Sequence, residues 1–357
     1  MGNVSQSQKS PRRHEVASVR SRVFTTYGII ITATALAWIW AWHVFSAYPL
    51  LLGTGLLAYT FGLRHAVDAD HIAAIDNVTR KLMQDGKRPV NVGFFFSLGH
   101  SLVVILASAA VALTAGAFKD KIDSWNNIGG IISTCVSAGF LLLLGLLNII
   151  IFVQVYRTFQ RVKATGYYSD EDLNLLLAKR GFMSRIFRSL FGLVRSSWQM
   201  FPIGFLFGLG FDTATEVAVL GIAATEAGKG LSMWSIMVFP ALFTVGMTLI
   251  DTTDGALMLG AYQWAFVTPI RKLFYNMTIT AVSVVVALVI GGIEALGLLG
   301  DQFALKGAFW EAMDKLNDNF NTIGFFIIGL FLGAWLLSIL IYRFNHYDEI
   351  AVKTETT

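Results

Sequence analysis

Cysteine and charge are both scarce in this chain. Cys135 is the single cysteine among 357 residues, which excludes a disulfide framework and a cysteine-based metal site. It lies in an apolar run and reads as a small packing residue. Charged residues are only 14% of the total, whereas a soluble domain carries about a quarter. That excludes an ordinary water-soluble globule. The net charge of +4, from 27 basic against 23 acidic residues, gives no reason to expect nucleic acid. Phosphate-loop spacing is absent too, because "TEAGKG" at Thr225 to Gly230 does not follow it.

Apolar residues are abundant, at 55% with a mean hydropathy of +0.62, so the solvent of this protein is lipid. Runs long enough to cross about 30 Å of hydrocarbon fall near 25–46, 49–75, 91–117, 128–155, 198–225, 232–262, 273–299 and 322–343. They predict an all-α polytopic membrane protein with eight transmembrane helices. Continuous runs of this kind exclude a β-barrel, whose strands alternate. The first run is too long for a signal-peptide core and is read as a retained span.

Basic residues set the orientation. The amino-terminal tail (1–24), the loop with Arg80, Lys81, Lys87 and Arg88, the connector 156–197, the loop with Arg271 and Lys272, and Arg343 all fall on one side. Both termini are expected in the cytoplasm, with one transporter domain over 25–345 and a carboxy-terminal tail at 346–357. Within the connector, "SDEDLNLLLAKRGF" from Ser169 has the pattern of a short amphipathic helix.

A repeat underlies the spans. "FSLGHSLV" at Phe96 resembles "FTVGMTLI" at Phe243, and "FGL" at Phe61 recurs at Phe207, with nearly the same offset. Spans 2–4 would then pair with spans 5–7. An odd number of helices per unit makes this an inverted repeat, a frequent transporter plan with the site where the units meet.

The ionisable residues inside these spans are concentrated. "RHAVDADHI" holds His65, Asp68, Asp70 and His71; span 3 holds Ser97, His100 and Ser101. Span 5 holds Asp212, Thr213, Thr215 and Glu216; span 6 holds Asp251 and Asp254. A central charge costs about 2.5–3.5 kcal/mol even on a lenient insertion scale. Six lipid-facing carboxylates would cost on the order of 15–20 kcal/mol by that scale, beyond typical folding stability. They must face one another, a cation or a wet cavity, and Arg64 can offset only one.

Imidazole beside carboxylate suits first-row divalent ions, while all-oxygen sites suit magnesium or calcium. On a regular helix His65, Asp68, Asp70 and His71 cannot all reach one ion. Either Asp70 orients a histidine, or the helix is unwound there. Asp212/Glu216 and Asp251/Asp254 each share a helix face; these pairs complete the site, relay the ion or hold histidine tautomers. Each cluster also has a plain alternative as an interhelical hydrogen bond. Ser97, Ser101, Thr213 and Thr215 read as packing or supporting groups. His43, in "WAWHVF", is either a ligand at the outer mouth or part of an aromatic belt. The GxxxG pairs Gly204/Gly208 and Gly329/Gly333 permit close helix contact.

"RHAVDADHI", "FSLGHSLVV", "LGFDTATEVA" and "GMTLIDTTDG" resemble, in order, the signatures of the nickel/cobalt transporter (NiCoT) family, and are most similar to bacterial high-affinity nickel permeases. The resemblance covers roughly residues 25–345. It implies a secondary permease, not an enzyme, taking up Ni2+ and also Co2+ across the bacterial inner membrane. The metal is substrate, with no cofactor and no obligate protein partner. By this resemblance His65, Asp70 and His71 are tied most closely to transport, with Asp68 and His100 as further metal residues. Asp212, Glu216, Asp251 and Asp254 form the supporting set. A dication entering a negative interior gains about 4.6 kcal/mol per 100 mV, roughly a thousandfold accumulation. The alternatives are a channel, a carrier for zinc or manganese, a histidine-box metalloenzyme, and a serine protease at Ser101, which lacks the G-x-S-x-G elbow.

Overall fold

The structure is a computed structural model and describes residues 11–113, 119–165, 167–168, 194–209, 214–265, 269–344 and 353–354. It is helical, apart from a two-residue parallel pairing of Tyr167–Tyr168 with Lys353–Thr354. The helices are α1 (Pro11–Phe45), α2 (Pro49–His65), α3 (Ala69–Gln84), α4 (Val92–Leu113) and α5 (Lys119–Thr165). They continue as α6 (Met200–Phe207), α7 (Ala214–Gly228), α8 (Met233–Ile236), α9 (Val238–Ala265), α10 (Pro269–Gln302), α11 (Ala308–Asn317) and α12 (Phe320–Phe344). The segment "SDEDLNLLLAKRGF" lies outside the described residues.

Among the described residues six helices are long and apolar enough to cross a membrane, and the bent pair α2–α3, taken as one span, makes a seventh. Of the expected run 198–225, α6 and α7 cover 200–207 and 214–225, and residues 210–213 lie outside the described residues. Side chains such as Leu50, Trp42, Phe325 and Phe326 are exposed on the outer surface, as expected where lipid replaces water.

The break between α2 and α3 follows from local chemistry. Pro49 starts α2, where a missing N–H costs nothing. Asp68 takes an extended conformation at the N-cap of α3, a position aspartate favours. Its carboxylate makes no capping bond and turns instead toward His65. The axis bends by 52° there.

One expectation needs correction. The sequence places Arg80 and Lys81 in a loop after span 2, yet α3 runs on to Gln84 and residues 71–83 are all buried. Charge density suggested water, but α9, α10 and α12 enclose this helix instead. Arg64, by contrast, is exposed.

The packing is tight where the polar spans meet. A Cβ on Gly62 would overlap the carbonyl of Phe243, and one on Gly93 the carbonyl of Asp251. Small residues thus let α2 and α4 approach α9 closely. Gly204 and Gly208 do the same for α6 against Phe96 and His100, whereas Gly329 and Gly333 face open space. Cys135 is exposed on α5.

Candidate metal centre

Three helices bring three imidazoles together. His65 ends α2, His71 lies in the first turns of α3, and His100 lies on α4. All three are buried, with exposures of 1%, 0% and 3%. Their ring centroids stand 4.7, 4.8 and 4.8 Å apart, nearly an equilateral triangle. One nitrogen from each lies within 4.8 Å of the others. At a metal–nitrogen distance of about 2.1 Å, two adjacent octahedral ligands stand about 3.0 Å apart. His65 Nε2 and His100 Nε2 are separated by 2.9 Å. An ion seated between these two nitrogens would meet both at ligand distance.

Carboxylates and hydroxyls surround the imidazoles, Asp68, Thr215 and Asp251 on the Nδ1 side of His65 and His71 and Glu216 beside the paired Nε2 atoms of His65 and His100. Asp68 Oδ2 is 3.1 Å from His65 Nδ1, and Thr215 Oγ1 is 3.2 Å from the same nitrogen. Both Asp251 oxygens lie 3.4 Å from His71 Nδ1. Asp251 also accepts from Ser97 at 2.7 Å, and that hydroxyl equally reaches the Gly93 carbonyl at 2.9 Å. Glu216 Oε1 is 2.7 Å from His100 Nε2 and 3.8 Å from His65 Nε2. An imidazole whose Nδ1–H faces a carboxylate turns the lone pair of Nε2 outward, as in carboxylate–histidine–metal arrangements. His71 fits this well, because its Nε2 has no hydrogen-bond partner among the described residues. His100 Nδ1 and Ser101 Oγ are likewise buried without partners among them.

Helix ends add a fixed field. The C-terminus of α2 carries the negative end of its dipole toward His65, which favours a cation. Phe243 and Phe96 pack against His65 and His71, at 5.6 and 4.8 Å between ring centroids, and narrow the space around the imidazoles.

The other expected residues fall into distinct places. Asp70 is half-buried in the first turn of α3, close enough to act electrostatically on His71 and Asp68. The break, rather than one regular helix, is what lets His65 and His71 meet. Asp254 lies one turn beyond Asp251, with Oδ2 buried and without a partner among the described residues. Asp212 and Thr213 lie outside the described residues. His43 is exposed in the last turn of α1 and does not belong to the triangle. Glu294 stands apart between α5 and α10, accepting from Ser137 at 2.7 and 2.8 Å.

Sequence reasoning missed a buried polar group beyond the triangle. Asn77, Arg80, Asn148, Thr280 and Ser283 are all buried around Asp76. Their signal was available, as polar residues three and four apart on α3 and α10, but the hydropathy of those stretches hid it.

The geometry is that of a buried cluster able to hold one divalent transition ion by imidazoles, with carboxylates close by. A family profile described as "High-affinity nickel-transport protein" (NicO) matches residues 51–341. The chain is 54% identical over 342 residues to the "High-affinity nickel transport protein" of Cupriavidus necator, covering 96% of this chain and 97% of that one. It is 44% identical over 321 residues to the "Nickel transporter NixA" of Staphylococcus aureus, covering 90% and 94%. It is also 39% identical over 301 residues to the "Cobalt transport protein NhlF" of Rhodococcus rhodochrous, covering 83% of each. No solved structure matches it significantly. With a profile match over most of its length and a buried three-histidine cage at the bend of its second span, the chain belongs to the NicO family of high-affinity nickel-transport proteins.

Proposed function

We propose that this multi-pass membrane protein is a permease that takes up Ni2+, and also Co2+, across the bacterial inner membrane. The observation that carries the reading is the convergence of His65, His71 and His100 inside the bilayer-spanning region. Neutral imidazoles at this spacing discriminate against magnesium and calcium, which prefer oxygen cages. The metal is the transported substrate. Its removal from water is offset by the imidazole nitrogens and by Glu216, Asp251 and Asp68, which balance its charge. The relatives named above are transport proteins, and none is named as a channel, a histidine-box metalloenzyme or a serine protease.

His65, Asp70, His71, Asp68 and His100 form the metal set in this reading. Asp212, Glu216, Asp251, Asp254, Ser97, Ser101, Thr213 and Thr215 support it or line the pathway, with His43 at the outer mouth. Basic residues put both termini in the cytoplasm. The potential across the membrane then drives the dication inward, with about 4.6 kcal/mol per 100 mV.

Eight crossings arranged as an inverted repeat complete the proposal, with α6 and α7 as one broken crossing matching α2 and α3. Reciprocal contacts support it. Gly246 of α9 packs on the backbone of Tyr59 of α2, and Gly99 of α4 packs on the backbone of Phe205 of α6. Likewise Gly145 of α5 meets Leu288 of α10, while Gly291 of α10 meets Leu141 of α5. Each pair maps onto the other at an offset of 146 or 147 residues.

Uptake of labelled nickel into cells or proteoliposomes tests the function. Saturable uptake suppressed by excess cobalt, but not by magnesium, is expected. Uptake that fails to saturate would mark a channel, and suppression by magnesium would refute the imidazole site.

A further inference from the structure

Beyond the histidine triangle, polar groups continue along α3, α9 and α10 in one direction. On α9, Asp254 is one turn past Asp251 and its Oδ2 is buried without a partner among the described residues. A Cβ on Gly255 would stand 3.5 Å from Ile75 Cγ2, so Asp254 and Asp76 flank the same α9–α3 contact. Asp76 is fully buried and accepts from Ser283 of α10 at 2.7 Å. One further turn along α3 comes Arg80, with only 1% of its surface exposed. Its guanidinium donates to Thr280 of α10 at 3.2 Å and to the Asn77 side-chain oxygen at 3.1 Å. Asn148 of α5 donates to that same oxygen at 2.5 Å. Arg80 Nε has no hydrogen-bond partner among the described residues, and neither does the buried Thr79 hydroxyl.

This arrangement is unusual for a structural arginine. Arginine suits buried sites when a carboxylate fork matches its planar donors. Here its two assigned hydrogen bonds go to neutral oxygens. Its charge has been placed beside a carboxylate path, in the direction that leads to the basic segment Lys87–Arg88. Asp76 and Arg80 are one turn apart on α3, and Ser283 and Thr280, which clasp them, are about one turn apart on α10. The two helices thus hold an acidic position and a cationic one in a fixed ladder.

Resting on the permease reading, we infer that Asp76, Asp254 and Ser283 form a second cation station on the inward path, and that the tethered guanidinium of Arg80 keeps a second dication out of it. An ion leaving the histidines passes to these oxygens only as Arg80 swings aside, so one ion crosses at a time. Oxygen ligands at this station hold a first-row dication more weakly than the imidazoles, which suits release.

The test counts nickel ions bound per chain by titration calorimetry on the purified full-length protein, with NiCl2 as the probe. The parent and Arg80→Lys are expected to bind one ion. Arg80→Gln is expected to bind two, the first with affinity within threefold of the parent, and Asp76→Asn in that background to restore one. One ion in folded Arg80→Gln overturns the inference, as does a second ion that survives Asp76→Asn. A parent chain that binds no nickel would instead overturn the permease reading itself. Should Arg80→Gln fail to fold, Thr280→Val keeps both charges and removes one tether. It is expected to raise turnover in proteoliposomes at least twofold with unchanged KM, and equal or lower turnover overturns the inference.

Discussion

Asp251→Asn isolates what a carboxylate behind a histidine contributes. In the parent both Asp251 oxygens face His71 Nδ1 at 3.4 Å, and Ser97 anchors one of them at 2.7 Å. The distance to the imidazole is long for a hydrogen bond, so the interaction is chiefly electrostatic until an ion draws the ring in. Asparagine preserves shape and the Ser97 contact but removes the charge. Its amide can also donate to Nδ1, which moves the imidazole proton to Nε2 and hides the lone pair the metal needs. Loss of such an orienting partner costs about 10–100-fold in metal affinity, or roughly 1.4–2.7 kcal/mol. Titration calorimetry with NiCl2 on the purified chain reads this directly, with labelled-nickel uptake beside it. Asp254→Asn is the control: it removes a half-buried carboxylate one turn further along α9, whose buried Oδ2 has no hydrogen-bond partner among the described residues, and its effect on binding at the histidines is expected to be under threefold. Asp251→Asn binding nickel within twofold of the parent would refute the orienting role. Additivity with His71→Ala would refute it independently, because groups that act as one unit are not additive.

The other expectations follow from the same geometry. His65→Ala and His71→Ala are expected to abolish nickel uptake while membrane insertion, followed by immunoblot of membranes, stays intact; normal accumulation in either would remove it from the ligand set. Glu216→Gln, which neutralises the carboxylate 2.7 Å from His100, is expected to weaken nickel binding about 10–100-fold, and unchanged affinity would place its charge outside the site. Gly93→Val is expected to destabilise the fold by about 1–3 kcal/mol through overpacking against Asp251, seen as a lower Tm in detergent, and an unchanged Tm would mean the α4–α9 approach is looser than described.

Much of the site is legible in the chain's residue types. They put His65, His71 and His100 with carboxylates inside apolar runs, and the insertion cost of those charges requires a cation or a cavity. Two features escape hydropathy. The stretch 49–75 reads as one span, because hydropathy averages over a window; only the helical spacing of His65, Asp68, Asp70 and His71 raised local unwinding as an alternative, and it could not place the bend at Ala66–Asp68. Arg80 and Lys81 read as loop residues, because charge is normally a proxy for water. Asp70, central to the family motif, sits half-buried beside the triangle, since one residue along a helix turns a side chain by about 100°.

Composition and pattern alone determined the lipid environment, the helical architecture and the donor chemistry of the site, because hydrophobic run length and ligand softness are properties of residues and do not depend on where they meet. Tertiary structure alone decided which donors meet. The convergence of α2, α3 and α4 depends on a 52° break and on glycines that admit neighbouring backbones. The burial of Arg80 depends on three other helices that enclose α3. Distances between side chains from separate spans are set by packing, and packing is a property of pairs that no single segment of chain contains.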